Sequence, residues 1–209
     1  MNLALFYDTE TTGLPLFNEP SDDPRQPHIV QLGAALVDMA SREIVATVDV
    51  IVRPNGWTIP DEVAAIHGIT TEKAMACGIS EVVAIHMLAA LWACAEERIA
   101  HNETFDARIV RIGLKRYAEN EALPHADLWK EGAARCTANL ATPIMKMAPT
   151  DRMRGAGRGG QFKKPKLSEA YEHFFGKPLD GAHNAMVDVR ACMEVFFAIQ
   201  DLQAQPAAA

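Results

Sequence analysis

The chain opens with an unbroken apolar run, Leu3 to Tyr7, of the kind buried on both faces in the middle of a sheet. The run predicts a strand that stops at Asp8-Thr9-Glu10-Thr11-Thr12-Gly13-Leu14-Pro15, followed by a polar, proline-rich loop from Leu16 to Pro27. Two β-rich runs, Ile29 to Val37 and Ile44 to Val52, are separated by six residues and predict an antiparallel hairpin. Pro60-Asp61-Glu62 places a proline and two acids where a helix begins. Ser80-Glu81 predicts the cap of a long apolar helix running to about Ala95. Arg98 to His101 predicts a short strand, and Thr104 to Tyr117 has helical periodicity through Phe105, Ile109, Ile112 and Tyr117. Residues 122–147 predict a short strand and then a helix near Ala138 to Met147, and helices follow at Lys166 to Phe175 and Asn184 to Leu202.

Strands first, then helices and strands in alternation, predict a single α/β domain over residues 1–202, with a mixed central sheet flanked by helices. Residues 203–209 are expected to be a disordered tail. Val82 to Ala95 is the longest apolar stretch, too short to cross a bilayer and interrupted by His86. The N-terminal run meets an acid too early for a signal peptide. A soluble, cytoplasmic protein with no membrane partner is expected.

Composition narrows the picture further. At 209 residues, 49% hydrophobic and 22% charged, the chain has the profile of a folded domain and excludes disordered, collagenous and disulfide-scaffold classes. Cys77, Cys94, Cys136 and Cys192 are widely spaced with no C-x-x-C pair, and buried, reduced thiols are expected. The formal charge of −7 rules out coating nucleic acid by net charge, so any phosphate contact must be local or bridged by metal. Residues 151–166 stand apart, with six basic residues against one acid. This segment, part of a flexible basic loop at about 148–165, offers Arg152, Arg154, Arg158, Lys163 and Lys164 to a nucleic-acid backbone; a purely solvated loop is the competing reading. Its Gly155-x-Gly157-x-x-Gly160 matches the dinucleotide-binding fingerprint by letter only. No strand precedes it, and Gln161-Phe162-Lys163-Lys164-Pro165 cannot open the required helix.

The chemistry lies in acids at element boundaries. Asp8 and Glu10, two apart on a strand, share a face about 6.5–7 Å apart. Buried there, two carboxylates need a compensator, and an oxygen-rich pair suits Mg²⁺ or Mn²⁺; exposed at a strand end, they would only cap the turn. Asp106 lies where a short strand turns into a helix, a place the helix dipole alone would explain. His183 precedes the last helix on a loop, where a lone histidine would more often be a helix-end hydrogen-bonding group, and Asp188 faces inward about one turn into the helix. Together, four carboxylates can hold two divalent ions about 3.5–4 Å apart across an in-line phosphoryl displacement, with the histidine taking the proton of the attacking water. That set describes a phosphodiester hydrolase.

Asp8-Thr9-Glu10-Thr11-Thr12-Gly13-Leu14 resembles the first motif of the DnaQ-like 3′–5′ exonucleases with a DEDDh site, of the ribonuclease H-like superfamily. Asn102-x-x-Phe105-Asp106 is similar to their second motif and His183-x₄-Asp188 to their third, in the same order over about residues 3–200. The resemblance implies a ribonuclease H-like sheet with Asp8, Glu10 and Asp188 on a first metal and Asp8 bridging to a second. It implies that Asp106 acts mainly through metal-bound water and that His183 is the general base. The Thr11, Thr12, Gly13, Leu14 backbone would grip the 3′-terminal nucleotide, with Leu14 wedged against its base. Asn102 would support the site and, with Phe105, belong to the substrate-contacting set. Ala65-Ile66-His67-Gly68-Ile69-Thr70 is similar to a segment bordering the substrate groove, where His67 either touches substrate or makes a helix-end hydrogen bond.

Other features are weighed as structural. Met75, Met87, Met145, Met147, Met186 and Met193 read as core filling. Trp57, Trp92 and Trp129 are too scattered for a stacking platform, and Phe17 either stacks on a base or packs its loop. The tail after Ile199 lacks an apolar-aromatic anchor, which favours a stand-alone enzyme over a replicase subunit. The expected function is a two-metal 3′–5′ exonuclease on single-stranded DNA 3′ ends that releases nucleoside monophosphates, with polymerase or repair proteins as further partners and the oligomeric state left open. One alternative is a 3′–5′ exoribonuclease or oligoribonuclease. Another is a non-catalytic module that binds 3′ ends or a polymerase.

Overall fold

The computed structural model describes residues 1–204. Its elements run β1 (Leu3–Thr11), β2 (Ile29–Asp38), β3 (Ile44–Ile51), α1 (Asp61–His67), α2 (Thr71–Cys77), α3 (Glu81–Trp92), β4 (Glu97–Ala100), α4 (Glu103–Arg116), α5 (Ala126–Glu131), β5 (Ala134–Cys136), α6 (Thr137–Met145), α7 (Asp151–Gly155), α8 (Leu167–Phe175) and α9 (Ala185–Ala204). The strands form one mixed sheet in the order β3-β2-β1-β4-β5. β1 is antiparallel to β2 and parallel to β4, so the first apolar run sits at the centre.

Both faces of β1 are covered, which is why its apolar run does not alternate. Leu5 and Tyr7 pack on one side with Ile85, Leu88, Ile109 and Trp129, from α3, α4 and α5. Ala4 and Phe6 pack on the other against Val189, Phe196 and Phe197 of α9. Phe6 and Phe196 meet edge to face at 5.5 Å, the arrangement aromatic quadrupoles favour.

The expected strand end at Tyr7 is corrected. β1 continues through the acids to Thr11, pairing Asp8 with Gly33 and Glu10 with Gln31 before the register shifts at Glu10/Thr11. Ladder hydrogen bonds extend the strand beyond the point where its apolar run ends. The helix expected to reach Ala95 ends at Trp92, and Ser80 occupies its N-cap without a side-chain cap bond. Two short helices are additions. Thr70 caps α2 by accepting from Lys73 N, and α5 buries Trp129. The basic segment contains a helical turn, α7, whose cap Thr150 accepts from Met153 N. α9 runs through Ala204, so Gln203 and Ala204 belong to a helix rather than to the expected tail; residues 205–209 lie outside the described residues.

Only Cys192 of the four cysteines is buried; Cys77 and Cys94 are exposed and Cys136 is half-buried, against the expectation of four buried thiols. Met75 and Met87 are likewise exposed rather than core filling. Among the described residues no helix is long and apolar enough to cross a membrane.

Candidate active site

Asp8 and Glu10 extend the face of β1 on which Ala4 and Phe6 meet α9. α9 comes close because Gly33, opposite Asp8 on β2, carries no side chain: a Cβ there would stand 2.6 Å from the Ala185 carbonyl carbon. Gln31 fixes the same approach, its Oε1 accepting from Ala185 N at 3.2 Å. Asn184 Oδ1 accepts from Val187 N and caps the helix, so Asp188 projects from its first turn toward Glu10.

Asp106 arrives from the other side of the sheet. Past the end of β4, Thr9 finds its partner in this carboxylate: Asp106 Oδ1 accepts from Thr9 N at 3.0 Å and from Thr9 Oγ1 at 2.7 Å. The start of α4 is held by Glu103, which accepts from Tyr7 of β1 and Arg98 of β4. Arg98 itself lies over Trp129 and donates to the Trp129 and Gly132 carbonyls, so the Arg98–Glu103 pair is braced from the α5 side as well.

His183 adopts φ 65°, left-handed and uncommon for a residue with a side chain. Its amide donates to Asp188 Oδ2 at 3.1 Å, and ligating atoms of Glu10, His183 and Asp188 lie within 4.8 Å of one another. Asp188 Oδ1 is buried and has no partner.

These residues line one cleft of about 510 Å³, which holds Asp8, Glu10, Asp106, His183 and Asp188 together. Thr11, Gly13, Leu14, His67, Asn102 and Phe105 line it too. Thr12 does not: its Oγ1 accepts from His28 N, and its amide donates to the His28 carbonyl. His67 Nδ1 accepts from Ile69 N, the helix-end hydrogen bond, while the residue still borders the cleft. Ile66, within the segment that resembles a groove border, lines the cleft as well; Val63 and His101 line it too, although no motif marks those two as contacts. Val63, Ile66 and His67 share one face of α1 at helical spacing, a signal present in the sequence. Phe17 is 64% exposed at the surface.

None of Arg152, Arg154, Arg158, Lys163 and Lys164 lines the cleft. Arg154 pairs with Asp151 and Lys163 with Glu169, while Arg152, Arg158 and Lys164 are exposed. The segment reaches the cleft wall through Pro165, whose carbonyl accepts from His101 Nε2 at 3.0 Å. A larger hollow of about 800 Å³, lined by His86, Trp92, Leu123 and several alanines, gathers no converging acids.

Electrostatics mark the smaller cleft. Burial, then the charges of Asp106, Asp188 and Glu10, push Asp8 well above the usual carboxylate range. Burial and the Asp188 charge lift Glu10 to about 7. Burial lifts Asp106 to about 7 against the two Thr9 hydrogen bonds, and Asp188 is raised by burial as well. Burial and the neighbouring His183 lower His67. Four crowded carboxylates with one orphaned buried oxygen and no lysine or arginine lining the cleft call for an added cation, and an all-oxygen acid set fits a hard divalent ion.

Solved exonuclease I structures are similar in fold, three of them as follows. Escherichia coli exonuclease I in complex with a dT13 oligonucleotide aligns at a TM-score of 0.73 and 17% identity, over 97% of this chain and 42% of that one. The zinc-ion-bound E. coli exonuclease I–single-stranded DNA complex aligns at 0.71 and 17%, over 98% and 42%. The moderately thermophilic exonuclease I of Methylocaldum szegediense aligns at 0.71 and 20%, over 98% and 42%. At these identities the likeness is one of fold, and the chain spans about two-fifths of those proteins. Among curated protein sequences none matches. The family model of the RNase T exonucleases matches residues 5–196, a span that contains all three acid-bearing segments, and the chain belongs to that exonuclease family.

Proposed function

We propose that the chain is a divalent-metal-dependent 3′–5′ exonuclease that removes nucleoside monophosphates from single-stranded DNA. The observation that carries this reading is the convergence of Asp8, Glu10, Asp106, His183 and Asp188, from three separate segments, in one cleft. Asp8, Glu10 and Asp188 would hold one cation, and Asp8 with Asp106 a second. When bound, two such ions, Mg²⁺ or Mn²⁺, supply positive charge to the attacking and leaving oxygens of the displacement.

The protein's own groups do the rest. His183, exposed on its left-handed turn beside Asp188, takes a proton from the water that attacks the terminal phosphorus. The P–O3′ bond breaks, the new chain end keeps the 3′ oxygen, and the released nucleotide carries the phosphate. Leu14, 76% exposed, and Ile66, 56% exposed, both line the cleft and present apolar surface to the terminal base. Asn102 and Phe105 line the same cleft. Single-stranded DNA is favoured because similar folds include exonuclease I bound to DNA oligonucleotides.

The test is a time course on 5′-labelled single-stranded DNA and matched RNA, with Mg²⁺, Mn²⁺ or EDTA. The expected result is a ladder shortening from the 3′ end, faster on DNA and abolished by EDTA. Faster RNA decay reassigns the polymer, and metal-independent or absent cleavage contradicts the reading.

A further inference from the structure

Away from the cleft, the most connected buried acid is Glu81, the first residue of α3, 3% exposed. Its Oε1 accepts from Ile29 N at 2.9 Å and from Arg116 Nη1 at 3.1 Å. Its Oε2 meets His28 Nδ1 at 2.9 Å and accepts from Tyr117 Oη at 3.0 Å. One carboxylate thus joins the start of β2 to the end of α4. These bonds hold its carboxyl below the usual range although burial alone would raise it. A buried carboxylate with this many donors is compensated, and loss of any donor is expensive.

The donors share a location. Arg116 Nη2 also donates to the carbonyls of Gln26 and Pro27. The His28 ring, stacked on Trp57 at 4.5 Å, belongs to the residue whose backbone makes both hydrogen bonds to Thr12. The loop between β1 and β2 therefore closes at Thr12 and His28, and Glu81 clamps the closure from behind. Gln26, 1% exposed, braces the same loop from inside by bonding Leu16 N and the Leu16 and Pro20 carbonyls. Thr12 sits within Thr11–Leu14, which carries Gly13 and Leu14 into the cleft wall.

From this chain of contacts we infer that Glu81 is a positioning residue for the Thr11–Leu14 segment, acting through His28 and Thr12 to hold Leu14 against the terminal nucleotide. The role of Leu14 rests on the exonuclease reading above; the clamp itself rests on the hydrogen bonds alone. Neither Glu81 nor His28 lines the cleft, so their effect on substrate is indirect.

The experiment compares wild type with Glu81→Gln, which keeps shape but removes charge, and with His28→Phe, which keeps a ring against Trp57 but removes the Nδ1 donor. Thr12→Val cuts the link at its far end. For single-stranded DNA, Glu81→Gln and His28→Phe should each raise KM about tenfold with kcat within about threefold, since a hydrogen bond to a charged group is being removed. Combining either with Thr12→Val should give less than the product of the single effects, because they break one chain. Amide exchange reads the clamp without substrate: the Thr12 and Gly13 amides should exchange about tenfold faster in both variants, well below their melting temperatures. Lower melting temperatures with unchanged KM and unchanged exchange would overturn the assignment and leave Glu81 a core ion pair. Inactive wild type with faster exchange in the variants would instead keep the clamp and overturn the substrate reading. If Glu81→Gln does not fold, His28→Phe and Thr12→Val carry the same comparison.

Discussion

Glu10 illustrates what crowding acids into one cleft costs a protein. Its folded pKa of about 7 lies above the unfolded glutamate value near 4.3, so the folded state binds its proton more tightly. Stability of the metal-free protein should therefore fall as pH rises from about 4 to about 7. Glu10→Gln removes the buried charge and should raise the melting temperature of EDTA-treated protein at pH 8, by about 2–4 °C for each kcal/mol of repulsion relieved. The gain should shrink at pH 5, where wild type is largely protonated. Differential scanning calorimetry at the two pH values checks this, and a variant less stable at pH 8 would refute it. The acids and His183 are legible in the sequence because their motifs are local in the chain. Thr12 reads there as a substrate contact, but its hydroxyl is turned to His28, sixteen residues away, a partner that no local pattern displays.

At the scale of elements, the approach of α9 to β2 decides whether the acids meet. The sequence shows Gly33 as one small residue in an apolar strand, with nothing to indicate a helix start against it. In the fold, Gly33→Ala would force Cβ into the Ala185 backbone and push the α9 N-terminus off the sheet. It should cost about 1–3 kcal/mol of stability, as overpacking does, and lower kcat by displacing Asp188. A denaturant melt and a hydrolysis rate measure both, and a wild-type rate with wild-type stability would show that α9 can shift freely. The continuation of β1 past Tyr7 escapes the apolar pattern because ladder pairing, not burial alone, extends that strand. α2 and α5, at seven and six residues, are too short to show periodicity; they are held by Thr70 and by the burial of Trp129.

On the scale of the whole molecule, the body is acidic, the substrate proposed for it is a polyanion, and the basic segment is its main concentration of opposite charge. The segment stops short of the cleft lining but is tied to its wall at Pro165 and His101. That position suits contact with nucleotides upstream of the 3′ end. Replacing Arg152, Arg154, Arg158 and Lys164 with Gln should weaken binding of long single strands and flatten its salt dependence by about 0.7 for each phosphate no longer neutralised. Dinucleotide hydrolysis should be unaffected. Equal losses for long and short substrates would make the segment structural. The composition and the order of elements are enough to read an α/β fold with a mixed sheet, since alternation of strands and helices survives errors of a few residues at each boundary.

In the proposed function the four carboxylates act as one divalent-metal site for hydrolysis, with Asp8 common to both ions. It is tested by the rate of Mg²⁺-dependent shortening of 5′-labelled single-stranded DNA from its 3′ end by wild type and Asp8→Ala, both shown to be folded by their melting curves. Nearly complete loss of activity in Asp8→Ala with the fold intact is the expected result; an Asp8→Ala enzyme that keeps its Mg²⁺-dependent rate would contradict the shared-metal site.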